Sequence, residues 1–169
     1  MRVLVAAASR HDSTAEIASA IGRALTDAGL EVDLRPARDV ASIAGYGAVV
    51  LGSGVYMGRW LPDATRIVEL HGEELKARPV WLFSSGPIGS PDPKPVGEPP
   101  EVVEMAAAIG AREHRTFTGR LDRGRLSLGE KVVVAAVRAA DGDFRDWELI
   151  ATWAGEVAEA LRPAVPVAG

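Results

Sequence analysis

Short apolar runs alternate with helix-length amphipathic stretches about five times along the chain, and this alternation limits the folds open to it. Residues 3–8, from Val3 to Ala8, are continuously apolar, as a strand buried on both faces requires. Over 13–28 the apolar positions Ile17, Ala18, Ile21, Leu25 and Ala28 fall at helical spacing, and Gly29 follows as a C-cap. Residues 30–35 alternate, with Val32 and Leu34 on one face, and read as a second strand nearer an edge. A third run, 48–51, ends in Gly52-Ser53-Gly54, and Pro62 opens a helical pattern over 61–75. The fourth run, 80–83, leaves through Ser84-Ser85-Gly86-Pro87. Six of the eleven prolines then lie between Pro87 and Pro100, which makes that stretch a loop. A short helix over 101–109 closed by Gly110 and a fifth strand over 114–119 follow. Residues 126–137 suit a strand by their valines and a helix by their length. The last pattern, 146–161, is an amphipathic helix whose apolar face holds Trp147, Ile150, Trp153, Ala154, Val157, Ala158 and Leu161.

Strand–helix alternation of this kind predicts an α/β doubly wound parallel sheet, with the uniformly apolar first strand at its centre. The length, 169 residues, predicts one domain over 1–162 followed by a flexible tail over 163–169. Lys and Arg number 19 against 23 Asp and Glu, and this net −4 argues against a nucleic-acid partner. Without cysteine there is no thiol nucleophile and no Cys-ligated metal. The apolar start turns polar at Ser9, far short of the roughly 20 residues of a membrane span. A soluble, cytoplasmic protein is expected.

Ligands of open parallel sheets sit at the carboxyl ends of the strands, so the loops after each strand are the candidate site. Ser9-Arg10-His11-Asp12-Ser13-Thr14 opens a helix, whose amides and dipole suit an anion, with Arg10 or His11 adding charge. Asp12 or Ser13 also reads as a plain N-cap. Neither the Walker nor the G-x-G-x-x-G pattern is present, which argues against nucleoside triphosphates and against a dinucleotide. In Ser53-Gly54-Val55-Tyr56-Met57-Gly58, the glycines admit a flat ligand, and Tyr56 and the following Trp60 offer ring surface. The same segment also reads as a tight turn with two aromatics packed into the core. Ser84, Ser85, Gly86, Pro87 and Gly89 line the start of the proline-rich loop.

A phosphate pocket flanked by two ring-contacting loops is the layout of a flavodoxin site. The strand, the Ser9–Thr14 loop and the Ile17-Ala18 pair resemble the flavodoxin signature. The stretch from Val50 to Gly58 and the junction Gly142-Asp143-Phe144-Arg145-Asp146-Trp147 are similar to the flavodoxin-type, menaquinone-dependent protoporphyrinogen oxidases and their bacterial relatives. The resemblance implies a flavodoxin-like five-stranded parallel sheet in the order 2-1-3-4-5 with helices on both faces. It also implies FMN, held at Ser9, Arg10, His11, Asp12, Ser13 and Thr14 and between the other two loops, and an oxidoreductase passing electrons through it. Its partners would be a small-molecule redox substrate such as a porphyrinogen, and a quinone or redox protein. The other readings are a noncatalytic flavodoxin-type electron carrier and an interaction module that has lost FMN. The family usually has glycine where this chain has Asp12, whose carboxylate repels a phosphate unless it points away.

His11, His71 and His114 have no metal-ligand spacing, with His71 expected on an exposed helix face, and no catalytic acid or base stands out. Gly52-Ser53-Gly54 is not a nucleophile elbow. Residues 110–140 carry seven basic against three acidic side chains, a local +4. Within it Arg120, Arg123 and Arg125 are candidates for binding an anionic substrate, and the flanking apolar residues for peripheral membrane contact. A solubilising surface explains the same charges.

Overall fold

The computed structural model describes residues 1–86, 98–121, 127, 128, 131 and 142–163. Five parallel strands form the sheet: β1 (Arg2–Ala8), β2 (Glu31–Pro36), β3 (Ala48–Tyr56), β4 (Val80–Ser85) and β5 (Glu113–Phe117). Their order is β2-β1-β3-β4-β5, the doubly wound arrangement. The middle strand is thus β3 rather than β1. Both are buried through most of their length, so apolar content alone does not rank two interior strands. Among the described residues the helices are α1 (Ser13–Asp27), α2 (Pro62–Lys76), α3 (Pro100–Ile109) and α4 (Trp147–Leu161), with a 3-10 turn at Ala37–Asp39.

The period of two along β1 sorts its side chains between two cores. Val3, Val5 and Ala7 face α1 and α4 with Val50, Trp81, Phe83 and Phe117. Leu4, Ala6 and Ala8 face the other side with Val49, Leu51, Val80 and Leu82, under α2 and α3. On the first side Phe83 and Phe117 each meet Trp153 edge-on and lie tilted to one another, with ring centroids 5.5–6.2 Å apart.

β3 continues beyond residue 51, through Gly52-Ser53-Gly54 to Tyr56. Partners on both sides draw it on: Ser53 pairs with Ala8 of β1 and with Ser84 of β4, and Gly54 with Ser85. For the same reason Ser84 and Ser85 belong to β4 and not to the loop after it. The strand then folds back on itself, Val55 facing Trp60 and Tyr56 facing Arg59. Met57 and Gly58 both have positive φ, 51° and 75°, as a type I′ two-residue hairpin requires.

Trp147 departs from the expected face of the last helix. It is 43% exposed and its ring stacks under the Arg145 guanidinium at 4.5 Å. His71 is also not on an open face: its side chain is only 12% exposed, at a break in helical geometry inside α2. In the ambiguous 126–137 stretch, Leu128 and Lys131 are helical and the Lys131 amide donates to the Ser127 carbonyl at 2.9 Å; the remainder lies outside the described residues, as do 164–169.

Gly52 is the tightest packing point of the sheet. A Cβ there would sit 2.1 Å from Cζ of the fully buried Phe83 ring. Gly52→Ala is expected to destabilise the fold by about 1–3 kcal/mol through overpacking, read as a lower urea midpoint with an unchanged slope.

Candidate functional site

Parallel pairing in this register brings the ends of β1, β3 and β4 level, because Ala8, Ser53 and Ser84 stand in one row across the sheet. The three loops singled out in the sequence therefore leave from one edge, side by side.

The first loop ends where α1 begins. Asp12 is the residue before the helix and adopts a left-handed backbone, φ 64° and ψ −15°. That is the conformation glycine takes most easily and Asp tolerates better than most residues. Its carbonyl accepts from the Glu16 amide at 2.8 Å, but its side chain makes no capping bond. Asp12 thus holds the N-cap position, as one sequence reading had it, but without the side-chain bond that usually goes with it. Helix geometry leaves the amides of Ser13, Thr14 and Ala15 directed out of the helix start. Ser13 Oγ accepts from the Arg120 amide at 3.1 Å, which leaves its hydroxyl hydrogen for another acceptor. Thr14 is buried against the next loop: a Cβ on Gly54 would lie 3.2 Å from Thr14 Oγ1, so glycine sets how closely the two loops approach.

The second loop supplies a ring surface in Tyr56 and an exposed tip in Met57, which is 72% accessible. Arg10 of the first loop lies over the Tyr56 ring, its Cζ 4.3 Å from the centroid, and so ties the two loops together by a cation–π contact. Trp60 offers no face to a ligand. It is 4% exposed, and its indole Nε1 donates to Ser84 Oγ at 2.7 Å. Of the two aromatics in this segment, Trp60 is core and Tyr56 is half-buried beneath Arg10. Ser53 is likewise turned inward. Its hydroxyl donates to the Gly54 carbonyl at 2.8 Å and accepts from the Leu61 amide at 2.9 Å, tying the end of β3 to the start of α2.

Beyond Trp60 the polar contacts run on. Ser84 Oγ lies 2.8 Å from His114 Nε2, and His114 Nδ1 lies 2.8 Å from Glu98 Oε1. With a neutral imidazole a single assignment satisfies every atom. Indole N–H can only donate, so Ser84 accepts from it and donates to Nε2, leaving Nδ1–H for the carboxylate. The connectivity is that of a Ser-His-Glu triad, but Ser84 is fully buried and its oxygen receives the indole proton. A substrate carbonyl cannot reach it, so these contacts brace the hairpin after β3 against the ends of β4 and β5, and Ser84 is not a nucleophile. Gly86, with φ 101°, donates its amide to the Phe117 carbonyl at 3.0 Å; a Cβ on Gly119 would meet the Gly86 amide at 3.4 Å. Pro87 and Gly89 lie outside the described residues.

A set of ion pairs that single-residue reading missed flanks the start of α1. Arg120–Leu121 pairs with Gly142–Asp143 as a short antiparallel ribbon. From it Arg120 reaches Glu16 at 3.6 Å, while Arg145, with its side chain 4% exposed, bonds both Glu16 and Asp143. The Arg120 guanidinium is thus directed at a carboxylate of its own chain. Arg123 and Arg125 lie outside the described residues. The only earlier sign of Arg145 was its place in the Gly142–Trp147 junction. The hydrogen bond from Arg145, helped by its charge, holds the Asp143 carboxyl below the ordinary 3.8.

The Flavodoxin domain profile matches residues 4–147. The chain belongs to the flavodoxin-domain family. No curated protein matches the sequence. Among solved structures, the rubredoxin oxygen:oxidoreductase of Desulfovibrio gigas superimposes with a TM-score of 0.65 at 18% identity. That match covers 95% of this chain and 36% of the other, so the chain spans little more than a third of that protein. A flavodoxin from the domain Archaea gives 0.63 at 17% identity, covering 95% of this chain and 98% of that one. A cysteine-to-serine variant of the flavodoxin from Pseudomonas aeruginosa gives 0.60 at 18% identity, covering 95% and 99%. Among the described residues no helix is long and apolar enough to cross a membrane.

Ser84→Ala is expected to leave a buried indole N–H without an acceptor and to cost about 1–3 kcal/mol in stability, measured by urea unfolding at pH 7. Asp143, with its folded value depressed, stabilises the protein above the unfolded value near 3.8, and that contribution is lost as pH falls through the folded value. Asp143→Asn should therefore remove part of the acid-induced loss of stability below about pH 4, seen as a flatter plot of unfolding midpoint against pH.

Proposed function

We propose that this chain is an FMN-binding redox protein, with the phosphate at the start of α1 and the ring beside Tyr56 and Gly86. The observation that carries this reading is the row of strand ends, which brings an outward-facing set of amides and a ring surface to one edge. The donor set fits a phosphate dianion: the amides of Ser13, Thr14 and Ala15, the Ser13 hydroxyl and the positive end of the helix dipole. Arg145 and Arg120 neutralise Glu16, the carboxylate of the first turn, so that its charge does not oppose an anion there. When bound, FMN supplies one- and two-electron chemistry, and the chain supplies its position and surroundings. Tyr56, fixed under Arg10, sets the plane in which a ring can lie. The bond from Trp60 to Ser84 keeps the two ring-contacting loops at a fixed separation.

The electron partner is a small-molecule substrate, a quinone or another redox protein. Oxidation of a porphyrinogen is the finer reading, and the sequence motifs around Gly58 and Trp147 support it. Arg120, the one described member of its substrate-binding trio, is directed at Glu16 and adds nothing to that reading.

Titration of flavin-free protein with FMN is expected to give saturable quenching of flavin fluorescence at one site per chain, and no quenching would overturn the proposal. Asp12 stands beside the phosphate loop, so Asp12→Gly should tighten FMN about fivefold, corresponding to the roughly 1 kcal/mol of one charge at about 4 Å in a water-like medium. An unchanged affinity would mean that the carboxylate points away from the phosphate.

A further inference from the structure

We infer that Arg145 is a positioning residue for the phosphate: acting through Glu16, it makes the start of α1 select a phosphorylated flavin over riboflavin. This rests on the flavin reading above and adds to it what sets the preference for the phosphate. The role runs through a side chain of α1 and requires no contact between Arg145 and the ligand.

The Arg145 guanidinium is fixed from three directions. Its Nε and Nη2 donate to the two Asp143 carboxylate oxygens at 2.8 and 2.6 Å, its Nη1 donates to Glu16 Oε2, and the Trp147 ring lies 4.5 Å from its Cζ. Only 4% of the side chain is exposed, so salt and water screen these pairs weakly. Asp143 stands on the ribbon, whose register is held by the Phe144 amide on the Gly119 carbonyl at 3.1 Å and by Thr118 Oγ1 on the Phe144 carbonyl. The ribbon has a second tie to the same place, from the Arg120 amide to Ser13 Oγ at 3.1 Å. One remote element thus sets both a hydroxyl and a charge at the start of α1.

Glu16 is where that charge acts. It lies in the first turn, and helical side chains lean toward the N-terminus, the end from which the amides of Ser13, Thr14 and Ala15 emerge. With Arg145 present, two guanidiniums (Arg120 and Arg145) balance two carboxylates (Glu16 and Asp143), and the cluster is neutral. Without Arg145, one negative charge is left over beside a dianion. Riboflavin has the same ring system and no phosphate, so the excess charge acts on it only weakly. A guanidinium that merely fastened the ribbon would affect both flavins alike.

Fluorescence titrations of the flavin-free protein with FMN and with riboflavin test the role. Arg145→Met is expected to weaken FMN about tenfold and Glu16→Gln to tighten it about fivefold, with riboflavin within about twofold in each. Combining the two substitutions removes one charge of each sign and should return FMN to within about twofold of its original affinity. The Glu16 side chain is 45% exposed, so its variant reports even where Arg145→Met does not fold. Parallel changes for the two flavins, an FMN affinity unmoved by Glu16→Gln, or equal affinity of the unaltered protein for both flavins overturns the role of Arg145 and leaves the flavin site standing. Binding of neither flavin by the unaltered protein overturns both.

Discussion

The hydrogen bond from the Trp60 indole to Ser84 is the contact on which the geometry of the site depends. It crosses from the hairpin after β3 to the end of β4, two places where the chain would otherwise leave the sheet independently. Because Trp60 is buried, the bond forms in a medium where an unmatched donor is costly, and this makes the spacing of the hairpin and the end of β4 a property of the core. His114 and Glu98 extend the same restraint to the point where the chain re-enters α3. Ser53 performs the equivalent task on the other flank, fastening β3 to α2. Each of these serines sits in a loop-like sequence, yet each serves the scaffold, and the surfaces left for a ligand are backbone amides, Tyr56 and glycine.

Charge around the start of α1 is organised on the same plan. Glu16 in the first turn favours the helix dipole but would oppose an anion bound ahead of it. Arg120 and Arg145 approach it from a ribbon more than a hundred residues away in sequence, and Arg145 is nearly buried. A long-range pairing of this kind holds the ribbon against the 9–14 loop and the start of α1, assisted by the bond from the Arg120 amide to Ser13. Formation of the ribbon of Arg120–Leu121 with Gly142–Asp143 and completion of the N-terminal loop are therefore coupled.

Much of this was legible in the sequence because it rests on periodicity. The continuous apolar runs of β1, β3 and β4, the helical spacing of α1 and the cap at Gly29 are local signals, and they gave the class, whereas the strand order came only with the flavodoxin resemblance. The strand end at Tyr56 was not legible. Gly52-Ser53-Gly54 carries turn residues, and only pairing to Ala8 and Ser84 on both sides keeps them extended. The small side chain at position 52 has its reason in the Phe83 ring on the neighbouring strand, which no window of sequence contains. Trp60 and Tyr56 show the same limit. Four residues apart and equally aromatic, they diverge because the hairpin turns one into the core beneath Ser84 and the other out under Arg10.

Asp12 shows how one residue can satisfy the backbone and burden the site. The turn into α1 needs a positive φ, and of the residues bearing a side chain Asp and Asn adopt it at least cost. The geometry of the loop thus survives the loss of glycine. What changes is electrostatic: a carboxylate is added at the residue before α1. Position 12 therefore trades conformational ease against charge: its backbone is one that Asp tolerates, and its carboxylate adds negative charge at the start of α1, where the proposed phosphate would sit.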